Sequence, residues 1–151
     1  MALQFTLNQA SPTSAGVDCV VVGASFAGLA CASALARVGL RVTVLSGDVH
    51  VAAIGVIESA RSDLSPEARS LTQLTSSGVT HPPPAGVARY FLEEACKQTE
   101  TLEPGLTGQM VEFPTARRRL IGCRNFMTLQ TDAPGGADRL WVNWWAEGVD
   151  H

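Results

Sequence analysis

The segment Asp18–Ser46, DCVVVGASFAGLACASALARVGLRVTVLS, constrains the fold more than any other part of the 151-residue chain. Cys19–Val22 is a short continuous apolar run, the pattern of a strand buried on both faces. Two glycines, Gly23 and Gly28, bracket Ala24-Ser25-Phe26-Ala27 where the chain has to turn. Leu29, Ala32, Leu35 and Ala36 then recur at helical spacing, and Gly39 supplies a C-terminal stop. Leu40–Leu45 reads as a second strand. Strand, glycine turn, helix and strand in that order make a βαβ unit, and such a unit implies a parallel sheet.

The turn has a chemistry of its own. The first N–H groups of a helix lack intrahelical acceptors and carry a partial positive charge, so a diphosphate placed there needs little side-chain help. Gly23 allows the tight turn, and Gly28 lets the helix sit close to the strands. Ser25 stands where the backbone of such a motif normally lacks a Cβ, and its hydroxyl can donate to a phosphate oxygen. A glycine pattern between a strand and a helix, with a second strand following, is the context a dinucleotide-binding motif demands.

On these residues the chain resembles the FAD-binding N-terminus of flavoprotein oxidoreductases, the group of aromatic-ring hydroxylases and geranylgeranyl-reductase-like enzymes. Val21-Val22-Gly23-Ala24-Ser25, Ala27-Gly28-Leu29, Ala30, Ala32, Leu35-Ala36, Gly39 and Val42-Thr43-Val44-Leu45 carry the resemblance. The Ala27-Gly28-Leu29 triplet looks more like a flavoprotein than a nicotinamide dehydrogenase. The resemblance implies a Rossmann-like α/β fold and FAD, in preference to NAD(P), as cofactor. It places the pyrophosphate against Gly23, Ala24, Ser25, Phe26, Ala27 and Gly28, and the adenosine ribose at Ser46 or Asp48. Ser46 occupies the position where the family usually carries an acid. The implied activity is electron transfer to or from a small organic substrate, either monooxygenase-like or reductive. No residue stands out as a catalytic acid, base or nucleophile. Relatives of this type generally run well beyond twice this length, so the resemblance is to a front part. The alternative is a non-catalytic remnant or interaction module that keeps the nucleotide fold.

Composition narrows the rest. With 46% hydrophobic and 17% charged residues the chain can build an ordinary core, and a net charge of −3 argues against a nucleic-acid surface. Cys19–Ala36 is uncharged and long enough to raise a membrane span. Its Ala, Ser and Gly content, its internal turn, and Asp18 in place of a positive flank favour a buried strand and helix, and a cytoplasmic protein. Cys19, Cys31, Cys96 and Cys123 contain no Cys-x-x-Cys pair, so dithiol redox chemistry is not supported. Cys19 and Cys31 read as small apolar fillers. His50, His81 and His151 show no ligand-like spacing, and no metal site is expected.

Beyond Ser46 the pattern is weaker. Residues 1–16 read as a flexible lead-in to a domain over 17–151, with a possible internal linker at 76–86 around Pro82-Pro83-Pro84. Val49–Ala60 reads as a core helix or strand, with a loop and helix near the flavin as the alternative. Leu64, Ala68, Leu71 and Leu74 predict an amphipathic helix, and Val87–Leu102 a second one ended by Pro104-Gly105. Arg117-Arg118-Arg119 reads as a solvated turn in preference to a phosphate contact. Phe126–Thr131 reads as a strand; the resemblance implies that Asp132 either meets the flavin's ribityl chain or, in better accord with the order of the chain, is the N-cap of a following helix that Leu140–Glu147 begins. Trp141, Trp144 and Trp145 would then share one exposed face, open to self-association or a partner.

Overall fold

The structure, a computed structural model, describes residues 2–5, 18–48, 50–82, 84–114, 116–131 and 140–148. The chain runs through β1 (Ala2–Phe5), β2 (Cys19–Val22), α1 (Phe26–Arg37), β3 (Val42–Asp48), β4 (Ala52–Ser59) and a 3-10 turn (Glu67–Arg69). It continues through β5 (Ser70–Ser77), α2 (Gly86–Ala95), β6 (Glu100–Glu103), β7 (Leu106–Val111), β8 (Leu120–Ile121), β9 (Asn125–Thr131) and β10 (Leu140–Ala146). The larger sheet has the order β2-β3-β5-β4-β7-β6, with β8 pairing β4 off that path. Its first three strands are parallel, and β4, β6, β7 and β8 pair antiparallel. A separate antiparallel sheet has the order β1-β10-β9. The fold is therefore α/β, Rossmann-like at β2-α1-β3 and continued by antiparallel strands.

Helix α1 forms and stops for local reasons. Ser25 caps its start, with extended backbone (φ −70°, ψ 170°) and its side chain accepting from the Gly28 N–H. Gly39 takes φ +88°, a left-handed conformation that suits glycine, and its N–H donates to Ala36 O at 3.0 Å. The Leu40 N–H closes the turn on Leu35 O at 3.2 Å. The helix packs Ala32 against Val21, Val42 and Val44, with Leu35, Ala36 and Leu71 at the margin. At the opposite end of the strands from the turn, Asp18 joins β2 to β3. Its carboxylate accepts from the Arg41 backbone N–H at 2.8 Å and from the guanidinium at 3.0 and 2.6 Å.

The other face of the larger sheet holds the main core. Strand residues alternate faces, so Leu45, Ile54 and Leu74 point away from α1 and meet the smaller sheet. Ala52, Ile54, Leu74, Phe113, Ile121, Val142, Trp144 and Ala146 form one buried cluster there. The rings of Phe113 and Trp144 meet edge to face, with centroids 5.1 Å apart and planes at 86°. The Trp144 indole N–H donates to Thr75 O at 3.2 Å, so its one polar atom is satisfied. Asn125, buried at the start of β9, ties the two sheets together. It accepts from the Ser77 N–H at 3.0 Å and donates to Ser77 Oγ and Cys123 O, both at 2.8 Å.

Several expectations are corrected. β2 is covered on one face only: Val21 is buried, whereas Val20 is 40% and Val22 80% exposed. Among the described residues β2 pairs with β3 alone, which leaves it at the sheet edge. Leu64–Leu74 is not a helix but a 3-10 turn followed by β5. The helix expected over Val87–Leu102 spans Gly86–Ala95, and Glu100–Glu103 is a strand. Leu140–Ala146 is strand β10, so the three tryptophans do not share a face: Trp144 is fully buried and Trp145 42% exposed. Ala2–Phe5, expected to be flexible, is a strand paired to β10. Cys31 is exposed and so is not a core filler, whereas Cys19 is half-buried and packs against the α1 cluster. Val49–Ala60 resolves in favour of a strand, β4, and Phe126–Thr131 lies within strand β9, as its pattern suggests. In the 76–86 stretch, Ser76 and Ser77 end β5 and Gly86 opens α2. Residues 6–17, Pro83, Asp132 and His151 lie outside the described residues.

Candidate dinucleotide site at the β2–α1 turn

The two glycines of the turn are needed for different reasons. Gly23 has φ +103°, where an L side chain is strained, although a Cβ there would touch nothing within 4 Å. Gly28 is the reverse case: a Cβ would lie 1.8 Å from Gly23 O and 3.7 Å from Val21 Cγ1. Helix α1 therefore rests its first turn directly on the backbone of the chain reversal. The Gly23 N–H donates to Leu45 O at 2.8 Å, which fixes the turn to the C-terminal end of β3.

The remaining turn residues line the mouth of the helix. Ala24 is half-buried against the α1 core, while Ser25 and Ala27 are exposed. Phe26 is 96% exposed and projects from the first position of the helix. Ser25 Oγ occupies the Gly28 N–H at 3.4 Å, a long bond. The N–H groups of Phe26 and Ala27 have no intrahelical acceptor, as the geometry of any helix start requires. Together they present donors and the positive end of the helix dipole to an anion.

Ser46 and Asp48, at the end of β3, are engaged within the chain. Ser46 Oγ lies 2.8 Å from Thr75 Oγ1 and accepts from Gln73 Nε2 at 3.0 Å. Asp48 Oδ1 accepts from the N–H groups of His50 and Val51 at 2.7 and 2.9 Å, bracing the turn into β4. Gln73 and Thr75, the partners of Ser46, are the residues beside the candidate site that sequence reasoning missed. They lie inside the segment expected to be a helix; the β-prone run Leu-Thr-Gln-Leu-Thr-Ser-Ser was the signal that they belong to a strand.

The other candidate groups have structural duties. Arg117 takes φ +49° in a tight turn in which Phe113 and Arg118 pair, and Arg119 meets Glu112 at 2.9 Å. Glu93 on α2 accepts from the backbone N–H groups of Arg119 and Leu120, at 2.7 and 3.1 Å. Burial pushes the thiols of Cys96 and Cys123 above their ordinary range, which disfavours thiolate chemistry. His50 and His81 are exposed, with ring centroids 6.1 Å apart. No group of three or more His, Cys, Asp or Glu residues that could hold a metal occurs among the described residues. Nor is any described helix long and apolar enough to cross a membrane.

A parallel strand pair, a left-handed glycine at the strand end and a helix start seated on that glycine define the class of α/β dinucleotide-binding units. A family model described as FAD binding domain matches residues 18–145, nearly the whole described chain. The chain belongs to this family, and its cofactor is FAD. Two proteins from Xanthomonas oryzae pv. oryzae, strains MAFF 311018 and KACC10331 / KXO85, also show a short similarity. Both are described as "Probable cytosol aminopeptidase" and are 79% identical over 24 residues, 16% of this chain. The chain spans 5% of the length of these relatives. No solved structure matches the chain.

Proposed function

We propose that this chain holds FAD by its pyrophosphate at the Gly23–Gly28 turn and serves a flavin-dependent oxidoreductase of monooxygenase-like or reductase type. The observation that supports the site most directly is the fit of Gly28 against Gly23. A Cβ 1.8 Å from a backbone oxygen cannot be accommodated, so the close approach of helix and turn depends on that glycine. The turn then aims the Phe26 and Ala27 N–H groups at the diphosphate, and Ser25 keeps one hydroxyl proton to donate outward. FAD, when bound, supplies the redox chemistry on its isoalloxazine ring. The chain's own contribution is binding and orientation.

Flavin fluorescence titration tests this reading, with ADP as competitor and riboflavin, which lacks a pyrophosphate, as control. ADP should displace FAD and riboflavin should not. Ser25→Asp retains a good helix cap but places a negative charge at the diphosphate, so it should weaken FAD binding at least tenfold without lowering Tm. Undiminished affinity in that variant places the ligand elsewhere. A wild-type protein that ignores FAD favours the second reading, a non-catalytic module keeping only the fold. The in-chain commitments of Ser46 and Asp48 are the observations on its side.

A further inference from the structure

We infer that His50 and His81 form a two-imidazole site for a divalent transition cation of the zinc class, with water completing its coordination. Topology brings the pair together. Strands β3 and β5 run parallel and side by side, and Asp48 and Ser77 are the last pair in their ladder. Both loops therefore leave the same end of the sheet from adjacent points. His50 lies two residues past one exit and His81 four residues past the other. Their separation of 31 residues in the chain gives no sign of this meeting. Each exit is braced from within. Asp48 Oδ1 accepts from the N–H groups of His50 and Val51 at 2.7 and 2.9 Å. The Ser77 N–H donates to Oδ1 of the buried Asn125 at 3.0 Å.

The hydrogen bond behind His50 decides which nitrogen it offers. His50 Nδ1 lies 3.3 Å from Pro82 O. A carbonyl only accepts, so Nδ1 carries the proton and Nε2 of the neutral ring keeps its lone pair. A metal-binding histidine adopts this arrangement, because the outer bond fixes the tautomer and the ring's orientation and makes the free nitrogen more basic. The His50 and His81 rings meet edge to face, with planes at 62° and centroids 6.1 Å apart. With an ion about 2.0–2.1 Å from one nitrogen of each ring, the centroids stand roughly 5 to 6.5 Å apart, from the tetrahedral angle to the linear one. The observed separation falls within that span. Both side chains are exposed, so water reaches the remaining positions and a change of rotamer suffices to close the angle. Imidazole nitrogen suits zinc, nickel and copper, whereas magnesium and calcium prefer oxygen.

Zinc titration by calorimetry, on the whole chain without nucleotide, tests the site. The wild type should bind one Zn²⁺, with an affinity that falls at least tenfold in His50→Ala and in His81→Ala. Zn²⁺ should raise the Tm of the wild type and of neither variant, because an ion held only by the folded chain stabilises it. Mg²⁺ at the same concentration should give no binding heat. Cys31→Ser and His151→Ala remove the exposed thiol and the third imidazole, and both should leave zinc affinity unchanged. Trace Cu²⁺ should broaden the ring NMR signals of His50 and His81 together in the wild type, a readout that needs no variant to fold. Undiminished zinc affinity in either His50→Ala or His81→Ala overturns the site. Loss of affinity in Cys31→Ser overturns it too, by placing the ion on the thiol, and so does a wild type without saturable zinc binding. The FAD titration is run without metal, so each of these outcomes leaves the FAD reading where it stands.

Discussion

The two faces of the larger sheet carry different burdens. The α1 face is thin: Val21, Ala32, Val42 and Val44 make its buried cluster, and Phe26 at the start of the helix is 96% exposed. The opposite face is deep, with Trp144, Phe113 and Ile54 all at zero exposure beneath the smaller sheet. Buried apolar area is the main favourable term in folding, so the deep face holds most of the stability. The thin face holds the turn that a nucleotide would meet. Glycines and small alanines suit close backbone approach and contribute little burial, which is why the region richest in recognisable sequence is poor in core.

The contrast is sharpened most by Trp144→Ala. Truncating a buried aromatic costs about 3–5 kcal/mol, and here it also removes the donor to Thr75 O. That is a large share of a typical domain's 5–15 kcal/mol, roughly. Urea denaturation should show it, and a loss below about 1 kcal/mol would mean the deep face is not the main support. Gly28→Val acts on the thin face. Overpacking costs roughly 1–3 kcal/mol, less than the tryptophan, but the variant should lose FAD binding altogether, because Gly23 O has to move. A variant that retains FAD binding would break the link between turn and function. The smallest effect is expected from Asp18→Asn, at the other end of the strands. Hydrogen bonds from the Arg41 side chain and backbone, ahead of the charge attraction itself, hold the Asp18 carboxyl at about 2 against an ordinary 3.8. A depressed folded-state value stabilises above the unfolded one and is lost as pH falls through the folded one. The deficit of Asp18→Asn should therefore be constant from neutral pH to about 4 and close toward pH 2, read by Tm across that range. A deficit that persists unchanged at pH 2 would show that the ion pair is not its source.

The βαβ unit was legible because its evidence is local. Gly23, Gly28 and Gly39 answer to backbone conformation and close contact within a few residues, and α1 repeats every turn. The misread segments were those whose spacing fits two structures. Leu71 and Leu74 are three apart and look like one helical face. In β5 they lie on opposite faces, Leu71 against the α1 core and Leu74 in the Trp144 cluster. Trp141, Trp144 and Trp145 present the same ambiguity. The period-two set Val142, Trp144 and Ala146 was also present, and pairing to β9 and β1 decides in its favour. For the site, Ser46 and Asp48 could be placed from sequence, but their partners could not. Thr75 and Gln73 reach Ser46 only because β5 enters the sheet beside β3, 27 to 29 residues later in the chain.

The pairing of β1 with β10 sets an order in time. Ala2 lies opposite Trp145, so β1 adds to a strand pair, β9 and β10, that is synthesised long after it. At about 5–20 residues per second, the intervening chain takes roughly 7–30 seconds to synthesise. Throughout that interval β1 has no β10 to join, and Phe113, once made, has no Trp144 to cover it. The β2-α1-β3 segment is complete long before then. The newborn chain thus passes through a period in which the nucleotide turn can already form while the core that secures the rest of the sheet is still unwritten.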